Sequence, residues 1–122
     1  IQADGGTRTV SISGGWVALY DALRKVAELN GDDSPQRYLN GQVAALSVGI
    51  VDGELICDLD YAHDSRADVD MNLVFIDDEL VEVQGTGEGA SFSRSQLNSL
   101  LDLSEGGIRE VYAAQRRALG LE

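Results

Sequence analysis

Between Val69 and Phe75 the chain alternates, with Val69, Met71, Leu73 and Phe75 set against Asp70, Asn72 and Val74. Period-two alternation marks a half-buried strand, because successive side chains point to opposite faces. The pattern predicts a strand over about Asp68 to Ile76, with the four odd positions on the core face and Asp68, Asp70 and Asn72 sharing the other. Upstream, Ile12, Trp16, Leu19, Leu23 and Val26 step by four and three, as the apolar stripe of a helix does. That helix runs to about Leu29 and stops at Asn30-Gly31. Trp16 lies on the stripe and is expected in the core.

The polar stretch from Gly31 to Gln42 holds the one proline, Pro35, and reads as a surface loop. Val43 to Val51 reads as an almost wholly apolar strand. Asp52-Gly53 signals a hairpin. Glu54 to Tyr61 reads as the return strand, with Leu55, Cys57, Leu59 and Tyr61 on one face. Asp77-Asp78-Glu79 makes a charged turn into a fourth strand, Leu80 to Thr86. Ser93 with Gln96 forms a capping box for a helix carrying Leu97, Leu100 and Leu101. Ser104-Glu105 opens a second helix with Ile108, Val111 and Tyr112, closing at Gly120. The expectation is a single α+β domain over residues 1–122: a mixed or antiparallel four-stranded sheet packed by one long helix and two C-terminal helices.

At 122 residues and 43% hydrophobic content the chain can build a real core. No apolar run approaches the roughly 20 residues of a membrane span. The single cysteine, Cys57, cannot form an internal disulfide. It reads as a buried thiol rather than a catalytic one, in a reducing, cytoplasmic setting. A net charge of −12 argues against a self-sufficient nucleic-acid binder.

Two stretches carry chemistry. Asp64, Asp68 and Asp70 fall within seven residues. Clustered carboxylates repel one another unless a cation sits among them, so the cluster reads as a divalent-metal site or as a solvated acidic loop. Spacing alone favours the loop. The second stretch is DGGTRT, Asp4 to Thr9, where glycines feed a helix start. Free N–H groups there, with Arg8 beside them, suit an anion. An ordinary glycine turn with a threonine cap fits equally well. The only histidine, His63, reads as an exposed loop residue, and Arg66 as an ion-pair partner of Asp64 or Asp68 or, alternatively, as a phosphate contact. The GTGEG run (Gly85, Gly87, Gly89) lacks the context of a dinucleotide fingerprint and reads as a strand end with close backbone approach.

Four segments in order, ADGGTRT, QVAALSVGIVDGE, DLDY with DSRADVDMN, and EVQGTGEGASFSR, resemble the ribonuclease PH family over nearly the whole chain. They correspond to the second half of a family member. The resemblance implies a phosphate-dependent 3′-to-5′ exoribonuclease that trims the 3′ ends of tRNA precursors and releases nucleoside diphosphates. It implies a hexameric ring related to polynucleotide phosphorylase and the exosome ring. It implies that Gly6, Thr7 and Arg8 bind inorganic phosphate, and that Asp64 and Asp70 are catalytic and hold Mg²⁺ (or Mn²⁺). Asp68, on the same face as Asp70, reads as an accessory. Asp70 acting as general acid toward the leaving 3′ oxygen is a lesser alternative. It also implies a partner, the missing N-terminal half, which would carry a further phosphate-binding arginine and the basic RNA grip. Two positions depart from the family: His63 replaces a usually acidic residue, and the 32–40 connection is atypical. A non-catalytic ring subunit or a small acidic metal-binding module are the rival readings.

Overall fold

The computed structural model describes residues 6–58 and 66–121. Its first helix, α1, spans Thr7–Leu29. It starts at Gly6, whose backbone (φ 60°, ψ 33°) lies in the left-handed region that glycine enters without steric cost. It ends where the Asp32 amide reaches back to the Ala27 carbonyl at 2.8 Å. A 3-10 turn, Pro35–Tyr38, lies inside the polar connection, and Asp32 ties it down by accepting from the Tyr38 hydroxyl at 2.8 Å. That bond comes first among the causes that lower the Asp32 carboxyl pKa.

Four strands follow: β1 Val43–Val51, β2 Glu54–Cys57, β3 Val69–Ile76 and β4 Glu79–Gly87. They pair antiparallel in the order β2-β1-β3-β4. Asp52 and Gly53 both take positive φ (51° and 81°), the backbone that suits a two-residue hairpin between right-twisted strands. The expected return strand to Tyr61 is described only as far as Cys57. Asp58 turns off at φ 63°, and residues 59–65 lie outside the described residues.

Alternation sorts the sheet into two unlike faces. Ala44, Leu46, Val48 and Ile50 of β1 join Val69, Met71, Leu73 and Phe75 of β3 in one apolar layer, closed by Leu100 and Ile108 of the last helix, α2 (Arg94–Ala118). This is the core face predicted for β3. The opposite face carries Ser47 of β1, Asp70 and Asn72 of β3, and Glu82 and Gln84 of β4, by the pairings Ser47↔Asn72, Asn72↔Gln84 and Val74↔Glu82.

Helix α1 runs along the part of β1 that β2 does not reach. Ser13 Oγ donates to the Ala45 carbonyl at 3.2 Å and accepts from the Ala45 amide at 3.0 Å, completing an edge left open before Val48. Gln115 of α2 donates to the carbonyls of Ser13 (3.0 Å) and Val43 (2.8 Å), joining both helices to the same edge. Trp16 is buried as predicted, against Tyr20 and Leu119, and donates from Nε1 to the Gly41 carbonyl at 3.1 Å. Ile12 and Leu23 of the predicted stripe are half-buried on the same line, and the other two positions are out of phase. The buried positions of α1 are Thr9, Trp16, Tyr20 and Ala27, while Leu19 and Val26 are 48% and 41% exposed.

The two expected C-terminal helices are one. α2 is continuous through Ser104-Glu105-Gly106-Gly107. Ser104 does not cap a new helix. It is fully buried, and its hydroxyl donates to the Leu101 carbonyl at 2.7 Å within the same helix. Two mid-helix glycines cost roughly 1 kcal/mol each against alanine. The sheet demands the second: a β-carbon on Gly107 would lie 2.6 Å from Cys57 Sγ and 3.2 Å from Leu46. Cys57 packs on this apolar layer, where burial, followed by the charges of Asp58 and Glu110, raises its thiol pKa.

Candidate functional site

The N-terminus of α1 leans over the polar face of the sheet. Gly6 is its N-cap, no described side chain caps the first turn, and no acidic residue lies within that turn. The first amides of a helix have no partner inside it and carry the positive end of its dipole. Thr7 and Arg8 are the first two helical residues, so Gly6, Thr7 and Arg8 together border that end.

Buried hydroxyls hold this end in place. Thr9 is 3% exposed, and its Oγ1 donates to the Gly6 carbonyl at 2.9 Å. It lies 3.5 Å from Ser47 Oγ, itself buried. Ser47 Oγ and Asn72 Oδ1 are 2.8 Å apart, and Asn72 Nδ2 donates to Gln84 Oε1 at 3.1 Å. The row runs from α1 across β1 and β3 to β4. A side chain on Gly6 would press into it, with its β-carbon 3.1 Å from Thr9 Oγ1.

Asp70 lies on the same face, two residues along β3 from Asn72. It is half-buried, opposite Gly49 on β1 and Thr86 on β4. Asp68 extends the alternation by one step, its amide donating to the Ile50 carbonyl at 2.9 Å and its carbonyl accepting from Glu88 N at 2.7 Å. The geometry thus brings Arg8 and Asp70, far apart in sequence, to one side of the sheet. Asp64 and His63 lie outside the described residues.

Arg8 is engaged. Its Nη2 donates to Glu82 Oε1 at 2.7 Å and to Oε2 at 3.0 Å, across the width of β3. The side chains are 52% and 40% exposed. Glu82 did not stand out in the sequence, nor did Ser47 and Gln84. The signal available was the spacing of Glu82, Gln84 and Thr86, three polar residues at period two in the otherwise apolar and glycine stretch from Leu80 to Gly87.

Among the described residues no three His, Cys, Asp or Glu side chains gather as a metal cluster. The donors among the described residues are the hard carboxylate oxygens of Asp70 on β3 and of Asp68 just before it. They suit Mg²⁺ or Mn²⁺, which bind through one or two carboxylates and keep their waters.

Residues 41–107 match the model of the 3′ exoribonuclease family, domain 2. The chain belongs to the 3′ exoribonuclease family. The matched span of this family member takes in all four strands and the first half of α2, with Asp68 and Asp70 inside it. Ribonuclease PH of Synechococcus sp. (strain CC9605) is 57% identical over 120 residues, 97% of this chain and 47% of that protein. Ribonuclease PH of Corynebacterium glutamicum (strain R) is 53% identical over 122 residues, 99% of this chain and 49% of that protein. The chain therefore spans about half the length of these curated relatives. Rrp46 of rice (Oryza sativa) shares the fold, with a TM-score of 0.71 over 98% of this chain and 51% of that one, at 17% identity. The resemblance to ribonuclease PH read from the four sequence segments and the α+β class are both upheld. No described helix is long and apolar enough to cross a membrane.

Proposed function

We propose that this chain is the second half of a phosphate-dependent 3′-to-5′ exoribonuclease that trims tRNA precursors. Inorganic phosphate attacks the phosphorus of the terminal phosphodiester. A P–O bond forms to the incoming phosphate, the P–O3′ bond breaks, and a proton goes to the departing 3′ oxygen. A nucleoside diphosphate leaves, and the RNA is one residue shorter. Phosphate itself is the nucleophile, so no activated serine or cysteine is required.

The observation that carries this reading is the placing of the α1 N-terminus, which no described side chain caps, and Asp70 on one face of the sheet. The reaction brings two anions together. The amides at Gly6 and Thr7, the Thr7 hydroxyl and the Arg8 guanidinium hold the phosphate by charge-assisted hydrogen bonds. Asp70, with Asp64, is the carboxylate pair for Mg²⁺ or Mn²⁺, and Asp68 shares the face as an accessory. When bound, the ion neutralises charge building on the scissile phosphate. The net charge of −12 means that the RNA grip comes from elsewhere, in this reading from the other half of the protein and from neighbouring subunits of a hexameric ring in the cytoplasm.

The test uses the intact protein. Incubated with a tRNA precursor and Mg²⁺, it releases nucleoside diphosphates only when phosphate is present, and a chelator stops the release until Mg²⁺ is restored. Release of nucleoside monophosphates without phosphate would mean hydrolysis and would overturn the reading.

A further inference from the structure

Strand β4 carries an irregularity whose effect falls on a single side chain. From the Asp77-Asp78 turn the pairs with β3 begin Ile76↔Glu79 and Phe75↔Leu80. Unbroken pairing would continue with Val74↔Val81 and Leu73↔Glu82. Leu73 is fully buried on the α2 face, so that register would aim a carboxylate at the apolar layer. The strand avoids this by a bulge. Val81 is the extra residue, Glu82 pairs with Val74, and from there Glu82, Gln84 and Thr86 all face the side where α1 begins. A one-residue shift moves every later side chain to the other face, and bulges commonly re-aim a side chain beside a functional site.

The re-aimed carboxylate meets Arg8, and it does so in a particular way. Both oxygens take Nη2. Among the described residues no hydrogen bond engages Nη1 or Nε of Arg8. A guanidinium has five N–H donors in a planar fork, so an arginine held by one nitrogen still offers the others to a second anion. Holding the long side chain beforehand also lowers the entropy lost when that anion binds.

We propose that Glu82 is a positioning residue for Arg8. Delivered by the bulge at Val81, it holds the guanidinium at the N-terminus of α1 in readiness for inorganic phosphate. The inference rests on the reading of Gly6, Thr7 and Arg8 as the phosphate site. Glu82 touches neither substrate nor reacting atoms.

The experiment is steady-state phosphorolysis by the intact enzyme, with phosphate titrated at saturating RNA and RNA titrated at saturating phosphate. It compares the wild type with Glu82→Ala, Glu82→Gln, Arg8→Ala and the double variant Arg8→Ala/Glu82→Ala. Glu82→Ala is expected to raise the phosphate KM about threefold to fivefold, the size of coupling that exposed ion pairs reach, while the RNA KM holds. Glu82→Gln keeps an oxygen acceptor for Nη2 and restores most of the loss. In the Arg8→Ala background, Glu82→Ala has no further effect on the phosphate KM. An unchanged phosphate KM in Glu82→Ala overturns the proposal, as does an additive double variant. A fall in phosphate KM in either Glu82 variant also overturns it, since Glu82 would then compete with phosphate for Arg8. Should Glu82→Ala fold poorly, Glu82→Met, of similar length but without an acceptor for Nη2, takes its place with the same expected rise in phosphate KM, and an unchanged value overturns the proposal. A wild type that trims RNA without phosphate removes the underlying site reading as well; a phosphate-dependent wild type with indifferent Glu82 variants removes only this one.

Discussion

Helix α2 seals its own N-terminus and helix α1 does not. At α2, Ser93 Oγ accepts from the Gln96 amide at 3.1 Å, and Gln96 Oε1 accepts from the Ser93 amide at 2.8 Å. At α1, a left-handed Gly6 starts the helix and no described side chain caps it. The sheet repeats the contrast. The face under α2 is an apolar layer of strand residues. The face under the first turn of α1 carries hydroxyl, amide and carboxylate groups. A helix end closed by its own residues contributes stability, whereas an open end keeps its donors for something else. The difference teaches that this small domain keeps its apolar core and its polar candidate site on opposite faces of the sheet.

Substitutions on the two faces are expected to fail differently, and the largest effect tests the polar one. Asp70→Asn in the intact enzyme lowers the turnover of phosphorolysis about 10³-fold, or ~4 kcal/mol of activation free energy, with a melting temperature near the wild type. Near-normal turnover of that variant would remove Asp70 from the chemistry and break the contrast. On the apolar face, Leu100→Ala takes methylenes from a fully buried site and costs about 3 kcal/mol of stability, read from the urea midpoint. Its phosphate KM is expected to stay at the wild-type value. Ser93→Ala opens the α2 capping box and costs about 1 kcal/mol by the same measurement. A loss of activity beyond the loss of fold in either variant would blur the line between the faces.

The smallest effect is a pH dependence on the α2 side. The Tyr112 hydroxyl donates to the Asp77 carbonyl at 2.9 Å. Burial, then the charges of Asp77 and Asp78, push its phenol up to about 12. Folding thus favours the protonated form. The contribution is fully present below the unfolded value of about 10 and is lost as pH rises from there toward about 12. Urea midpoints taken at stepped pH check this, and Tyr112→Phe removes the dependence in that window.

Much of this arrangement was legible in the sequence. The alternation in β3 names its core face residue by residue, because a strand with one buried side cannot hide its period. The Asp52-Gly53 hairpin and the Ser93 capping box are short-range signals that tertiary packing leaves alone. The stripe on α1 misled because a helix beside a sheet edge buries a narrow line, so Leu19 and Val26 stay exposed while Thr9 goes under. Ser104 and the glycines of α2 resemble a helix boundary, yet the second glycine answers to the close approach of Cys57 Sγ from β2, a long-range demand. The site was half visible. Gly6, Thr7, Arg8 and Asp70 carry recognisable chemistry, and their sequence positions say nothing of the shared face. The spacing of Glu82, Gln84 and Thr86 hinted at a polar face, but which face it is depends on the bulge and so on the register with β3.

That bulge has a bearing on solubility too. β4 is the last strand on its side of the sheet, and nearly every residue along it is exposed, Val81 at 62%. A long, flat, apolar border strand is a template on which other chains can stack by backbone pairing, the first step toward fibrous deposits. The extra residue at Val81 breaks the regular spacing of that border, and the carboxylates of Glu79 and Glu82 flank the break. A chain straightened by deletion of Val81 would offer an uninterrupted template.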